Sequence, residues 1–324
     1  MSKLWQKILK ANPHLAEFDA NMRVFTLPGL DGVPIKSIID FFVVEMKKNS
    51  LNIRARAIAF SFFLSLFPAL LFFFTLIPYI LSIYFVPKEI DVLIVKMLKD
   101  ISPGQQVFEF FNGFITPLLQ DLTSNKRPSL LTGTFLVTVF LTSNGVMTML
   151  SSFDKSYNNY LKRNGLAARL VALKITFLLF FLFVFSFILV VGGQKLLLMI
   201  FGLLSLKNGF TLFVINFVRY LAIILLFFFS ISLIYYYGPA TKKKYRFISA
   251  GSTIATLLSL IASIGFSYYI TNFSKYNTLY GSIGTVMILM IWLNINSFVL
   301  LIGYEINAAI HHHKLIIEDE KITT

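Results

Sequence analysis

The residues of this chain that could do chemistry are few, and they stand inside long apolar runs. Asn144 lies in the run 129–150, and Asn294 and Glu305 lie in the run 282–308. A polar side chain in hydrocarbon is costly to desolvate, so each one needs a partner or a purpose. Asn294 and Glu305 are eleven residues apart, which is about three helical turns and roughly 16 Å along one helix face. An amide and a carboxylate on one face could line a path for a polar group or a proton. The plainer alternative is that Glu305 pairs with a cation at the same end of the bundle. Arg54, Arg56 and Arg169 are the cations placed to do so.

Other polar residues have readier explanations. Thr134, Thr138 and Thr142 recur every four residues and form one stripe, where hydroxyls commonly bond their own helix or a neighbour. Gly251, Ala255, Ser259 and Ser263 form a second stripe, a small-residue face suited to close helix packing. Pro68 and Pro78 sit in the first apolar run. Each removes a backbone donor and frees a carbonyl. They either kink that helix or break it to line a site. Arg219, near the outer end of the fourth run, is expected to snorkel to headgroups. Gly281 and Gly284 follow Tyr276-Asn277-Thr278-Leu279-Tyr280, which reads as a tight external turn feeding the last helix.

The inventory for catalysis is thin. There is no cysteine, which removes thiolate ligands and Cys nucleophiles together. The four histidines are His14 and the run His311, His312 and His313. Adjacent side chains on a helix point about 100° apart, so the run is a poor chelate. It reads as an interfacial helix end. The chain has neither a His-Glu-x-x-His pair nor a phosphate-cradling Gly-Lys-Ser/Thr loop. No catalytic, cofactor-binding or metal residue is assigned, and no cofactor is expected.

The elements that must position these residues follow from composition. The chain is 56% hydrophobic and 14% charged, against about 25% charged in soluble domains. Six uncharged or nearly uncharged stretches are long enough for spanning helices, which need roughly 20 residues. They are 57–85, 129–150, 170–191, 212–237, 248–270 and 282–308. Continuous apolarity favours helices over the alternation of a barrel. The expected fold is therefore an all-α membrane protein, a bundle of six transmembrane helices. No cleavable leader is visible in the mixed, polar first 30 residues.

Loop charge orients the bundle. Residues 1–56 hold nine Lys/Arg. The connection 151–169 holds Lys155, Lys162, Arg163 and Arg169 against Asp154, and 238–247 holds Lys242, Lys243, Lys244 and Arg246 without an acid. The other three connections hold eight Lys/Arg in all, five of them in the first loop beside five acids. The positive-inside rule then puts both termini in the cytoplasm. The net charge of +14 is read as orientation and contact with anionic lipid, so no nucleic acid is expected. Three regions follow: a cytoplasmic and interfacial segment 1–56, a membrane domain 57–308 and a cytoplasmic tail 309–324. Residues 34–48 place Ile35, Ile38, Ile39, Phe42, Val43 and Met46 on one face, as in an interfacial helix before span one. The loop 86–128 carries two further amphipathic patterns, broken at Pro103-Gly104. They read as helices that cap the outer side or form the vestibule of a cavity.

Three stretches together resemble one family. They are RARAIAFSFFLSLFPALLFFFTLIP at 54–78, FLTSNGVMTMLSSFDKSYN at 140–158 and a long block over 235–309. That block contains Asn272-Phe273-x-x-Tyr276, Tyr280-Gly281-Ser282, Trp292 and Gly303-x-Glu305-x-Asn307. The pattern is similar to the YihY/BrkB family of bacterial inner-membrane proteins. Pro68, Tyr280, Gly281, Trp292 and Gly303 are the motif positions that carry the likeness. Tyr304 stands where the family usually has a small residue before the final Glu. The resemblance implies six spans in the cytoplasmic membrane and no agreed activity. The family's names include a virulence-factor label and an old ribonuclease BN label.

Three functions are compared. The first is a transporter or flippase-like protein for a lipid or amphiphilic solute, not ATP-driven by itself, with Asn144, Asn294 and Glu305 along the path. The second is a non-transporting membrane scaffold for envelope assembly. The third and most remote is tRNA processing of the ribonuclease BN type, which needs a His and Asp cluster that this composition does not offer. The chain is therefore read as a membrane protein without enzymatic activity, its partners being membrane lipids and a lipid or amphiphilic substrate.

Overall fold

The computed structural model describes residues 32–48, 50–81, 128–154, 163–203, 209–241, 244–272 and 275–323, together with isolated positions before and between them. The described residues are helical apart from short connections, and they hold no strand. Among the described residues, seven helices run in chain order. They are α1 (Ile35–Lys48), α2 (Leu51–Leu81), α3 (Pro128–Asp154), α4 (Gly165–Leu203), α5 (Gly209–Tyr237), α6 (Ala250–Asn272) and α7 (Lys275–Thr323).

Among the described residues, five stretches are long and apolar enough to cross a membrane: Phe135–Asp154, Gly165–Ser186, Tyr220–Tyr237, Ala250–Tyr269 and Val286–Leu315. Helix α2, 31 residues long, contains residues 57–81 of the first expected span, and 82–85 lie outside the described residues. Each long helix packs on its sequence neighbours, and α7 returns to pack on α2, so the bundle closes on itself. The exposed faces are apolar, with Phe181, Phe185, Phe217, Leu257, Ile261 and Ile264 pointing outward. That is the surface lipid requires, because only internally bonded backbone and apolar side chains can face hydrocarbon.

Helix α1 packs against the later part of α7. Ile38 joins Leu30, Val33, Ala309 and Ile310 in a small buried cluster, while Ile39, Val43 and Val44 stay exposed. An apolar face only partly used by protein is what an interfacial helix needs.

Two local expectations change, and one alternative falls away. Helix α2 is continuous through Pro68 and Pro78, so of the two readings of the prolines the break is removed and a kink is left. Each proline removes one ladder bond, and in apolar surroundings the flanking turns retain the rest. The expected turn at 276–280 is helical, because α7 already starts at Lys275. Gly281 and Gly284 weaken a helix by about 1 kcal/mol each without ending it. The histidine run is not a helix end, since α7 continues to Thr323. No Gly or Pro stands between Gly303 and that end to stop it. The paired amphipathic helices of the loop 86–128 lie mostly outside the described residues.

Candidate functional site

The core sits at one end of the bundle, where α3 and α5 finish and α2, α4 and α6 begin. Phe153 on α3, Tyr235 on α5 and Tyr304 on α7 are fully buried there. Tyr304 stacks on Phe153 with ring centroids 4.0 Å apart, and Tyr235 meets both rings edge-on at 6.2 and 6.3 Å. The Tyr235 hydroxyl donates to the Leu300 carbonyl at 2.6 Å. Three helices are thereby pinned by aromatic packing plus hydrogen bonds, which suits side chains with an apolar body and a polar tip.

Beside this cluster lies an ion pair. Arg54, in the first turns of α2, donates from Nη2 to Glu305 Oε1 at 2.9 Å. The Arg54 side chain is 7% exposed and that of Glu305 is 0%. Of the three cations the sequence offered, Arg54 is therefore the partner of Glu305. Arg56 is exposed. A pair buried this deeply is not a cheap source of stability, because the desolvation of both ions offsets much of their attraction.

Arg169 serves a different residue. From the start of α4 its Nη1 donates to Asn144 Oδ1 on α3, and its guanidinium lies 4.9 Å from the centroid of the Phe140 ring. The side chain thus reaches along α3 into an apolar stretch, where the amide and the ring receive it. Asn294 is half-buried on α7. Asn144 and Glu305 thus meet different arginines, Arg169 and Arg54.

The hydroxyls of α3 divide into two groups. Ser143, Thr148 and Ser152 bond carbonyls of their own helix at 2.8–3.0 Å, and Thr148 also meets Ser61 of α2 at 3.0 Å. Thr138 and Thr142 depart from the expectation of helix back-bonding. Their Oγ1 atoms are buried without a hydrogen-bond partner. A threonine has two accessible rotamers in a helix, and only one aims the hydroxyl at a carbonyl.

The small-residue stripe of α6 meets α7 at Gly303. A Cβ added to Gly303 would fall 2.6 Å from both the Ala255 Cβ and the Tyr235 hydroxyl. A Cβ added to Gly251 would fall 2.5 Å from Asn307 Cγ and closer still to the Gly303 carbonyl. Farther along the same crossing, Trp292 Nε1 lies 3.4 Å from Ser263 Oγ. Pro68 is a half-buried residue within α2, and Tyr280 and Gly281 fall in α7, their surroundings lying outside the described residues. So does the side chain of Arg219.

Two structural roles escaped the sequence reading. Asn307 Oδ1 accepts from Gly251 N at 2.8 Å while its Nδ2 donates to Ser249 Oγ at 2.9 Å. An α7 side chain therefore caps α6. The signal was available, because Asn307 follows Gly303 by four residues and so shares its face. Arg163 donates to the carbonyls of Gly238 and Pro239 at 2.6 and 2.7 Å, sealing the C-terminal end of α5. Nothing in its basic loop distinguished it from its neighbours.

The histidines separate as the 100° rule requires. His311 packs on Tyr245 and His312 on Phe41, with centroids 5.5 and 5.7 Å apart. Among the described residues, no group of three or more His, Cys, Asp and Glu is placed to hold a metal ion.

Comparison with known proteins agrees with this bundle. The ribonuclease-like protein YfkH of Bacillus subtilis is 26% identical over 261 residues, covering 81% of this chain and 90% of its own. A UPF0761 membrane protein of Idiomarina loihiensis is 25% identical over 215 residues, 66% of this chain and 70% of its own. A UPF0761 membrane protein of Tolumonas auensis is 36% identical over 86 residues, 26% of this chain and 28% of its own. No solved structure matches. The family model described as Virulence factor BrkB matches residues 42–322. With that match spanning most of the chain and the helices built to cross a bilayer, this protein is a multi-pass membrane protein of the BrkB family.

Proposed function

We propose that this protein moves a lipid or lipid-like amphiphile across or within the bacterial cytoplasmic membrane. It would act passively or with an ion gradient, since the chain has no phosphate-cradling loop. In this reading α2 is the first of six spans and both ends face the cytoplasm, as the basic connections favour. The observation that carries the proposal is the Arg54–Glu305 pair, which ties the first long helix to the last across the bundle interior. A fully buried ionisable pair at one end of a membrane bundle supports a functional reading, because packing alone would be served better by apolar residues. The unpartnered hydroxyls of Thr138 and Thr142 add polar surface on α3.

A scaffold without transport is the second reading. The close Gly251–Gly303 crossing favours it, since such packing resists rearrangement. The ribonuclease-like wording belongs to the Bacillus relative. We read this chain as having no such activity, given the ligand inventory above, and incubation of purified protein with tRNA precursors and divalent metals tests that directly.

Transport is tested in reconstituted vesicles carrying a fluorescent phospholipid, with chemical bleaching of the outer leaflet. Wild-type protein is expected to expose the inner pool, and the double variant Arg54→Met with Glu305→Leu to slow that exposure at least tenfold. Wild-type vesicles that behave like empty ones would leave the scaffold as the better reading. Unchanged rates in the double variant would remove the ion pair from the path.

A further inference from the structure

A second site lies where α6 begins. A half-open cavity of about 390 Å³ is bounded by the segment before α6, the first turns of α6, and α7 near Ile310. Lys244, Arg246, His311 and Lys314 contribute to its lining, and none of the described lining residues is a carboxylate. Its apolar part comes from Leu30, Ile248, Ile254 and Ile310. Its polar part comes from Ser249, Thr253 and Asn307. We infer that this cavity binds the phosphate-bearing headgroup of an anionic lipid, a site separate from the Arg54–Glu305 pair and independent of the transport reading.

Position comes first. A stretch of α6 able to cross the membrane starts at Ala250, so the cavity stands at the level where that helix leaves hydrocarbon, which is where headgroups lie. Charge comes second. Three cations and no acid among the described lining residues favour an anion whichever leaflet is adjacent. Lys244 is held at the edge by the faces of Tyr236 and Tyr237, 5.0 and 5.2 Å from their centroids.

The helix terminus itself contributes little beyond its dipole. Gly251 N is taken by Asn307, and Ser252 N by Ser249 Oγ at 3.2 Å. The reciprocal bond from Ser249 N to Ser252 Oγ at 3.1 Å completes a capping arrangement. Binding therefore rests on the cations.

Shape selects an amphiphile over a free anion. Thr253 lines the cavity and is exposed, and Leu257, Ile261 and Ile264 continue from it in steps of four, four and three along the outer face of α6. Residues so spaced share a helix face. An acyl chain leaving the cavity would lie along that strip while its phosphate stayed among the lysines and arginine.

The test measures binding of dihexanoyl phosphatidylglycerol to the purified full-length protein in a neutral detergent. Dihexanoyl phosphatidylcholine and inorganic phosphate serve as the other probes. The variants are Lys244→Ala, Arg246→Ala and Lys314→Ala, singly and together, with Arg56→Ala as an exposed cation outside the cavity. Phosphatidylglycerol is expected to bind at least tenfold tighter than phosphatidylcholine, with affinity falling roughly fivefold for each cavity cation removed. Inorganic phosphate is expected to compete only weakly. A melting curve checks that the triple variant stays folded, and the single Lys314→Glu variant reads the same loss with less perturbation. Equal binding of the two lipids would overturn the inference. So would an Arg56→Ala loss as large as the triple variant's, or inorganic phosphate binding as tightly as the lipid.

Discussion

Tyr304 lies flat on Phe153, 12° between ring planes, and donates its hydroxyl to the Phe153 carbonyl at 3.1 Å. One residue thus fills the space between α7 and α3 and also closes the C-terminal end of α3. Orphan carbonyls at a helix end need such a donor when they are buried. Tyr304→Phe keeps the ring and loses the hydrogen bond, at a cost of about 1 kcal/mol. Tyr304→Ala removes a fully buried aromatic ring and should cost about 3–5 kcal/mol. Melting in detergent should show a small drop for the first and a large one for the second. Equal drops would mean that the ring contributes little and the hydroxyl nearly everything.

The presence of long apolar helices was legible because hydrocarbon leaves a chain few options: runs without charge must be helical and must be about a membrane thick. The small-residue face of α6 was legible for the same reason, since four-residue spacing maps directly onto a helix face. The partner of Glu305 could be narrowed to three arginines but not chosen among them. Choosing needs the rotation of α2 against α7, which depends on packing between residues some 250 positions apart. Tyr304 showed only as a departure from the family pattern, and its stacking on Phe153 had no local signature. The turn expected before Gly281 failed because polar residues and glycines mark a turn in water but not where a helix must keep its own hydrogen bonds.

The α6–α7 crossing predicts a contrast between two glycines of one helix. Gly251→Ala puts a methyl group against the Gly303 backbone and Asn307. Overpacking against backbone costs about 1–3 kcal/mol or more. Gly265→Ala meets nothing within 4 Å, and a mid-helix alanine gains about 0.5–1 kcal/mol over glycine. Thermal denaturation of the two variants should therefore move in opposite directions. Two shifts of the same sign would mean that the crossing is looser than it stands here.

Removing one member of the buried ion pair should be worse than removing both. Arg54→Met alone takes from Glu305 the cation 2.9 Å away, and Glu305→Leu alone takes that carboxylate from Arg54. Each is expected to cost about 3–5 kcal/mol. The double variant should recover most of that loss, since apolar replacements of similar size often match or exceed a buried pair in stability. A double-mutant cycle read by melting in detergent gives the coupling directly. Additive single losses would show that the two charges do not depend on each other.

Asn307 makes a prediction about one helix end. Asn307→Ala leaves Gly251 N without its acceptor and takes one of two donors from Ser249 Oγ, Ser252 N being the other. Loss of a cap costs about 0.5–2 kcal/mol. Because the cap is supplied by α7, the damage should appear as faster amide hydrogen exchange at the first turn of α6, with the middle of α6 unchanged. Uniform acceleration along the helix would point instead to a general loosening of the bundle.

Thr138 and Thr142 separate stability from function. Their hydroxyls are buried and unpartnered, and each such group costs about 1–3 kcal/mol relative to a satisfied one. Valine has nearly the same shape without the hydroxyl, so the double replacement Thr138→Val with Thr142→Val should leave stability equal or raise it. A fold selected for packing alone would be expected to have apolar residues there already. If these hydroxyls serve a passing polar group, the same variant should slow lipid exposure in the vesicle assay while melting no lower than wild type. A lower melting temperature would show that the hydroxyls are satisfied in the membrane, by water or by lipid. Full activity at unchanged or raised stability would remove this stripe from the transport path and leave it to rest on Asn144, Asn294 and the Arg54–Glu305 pair.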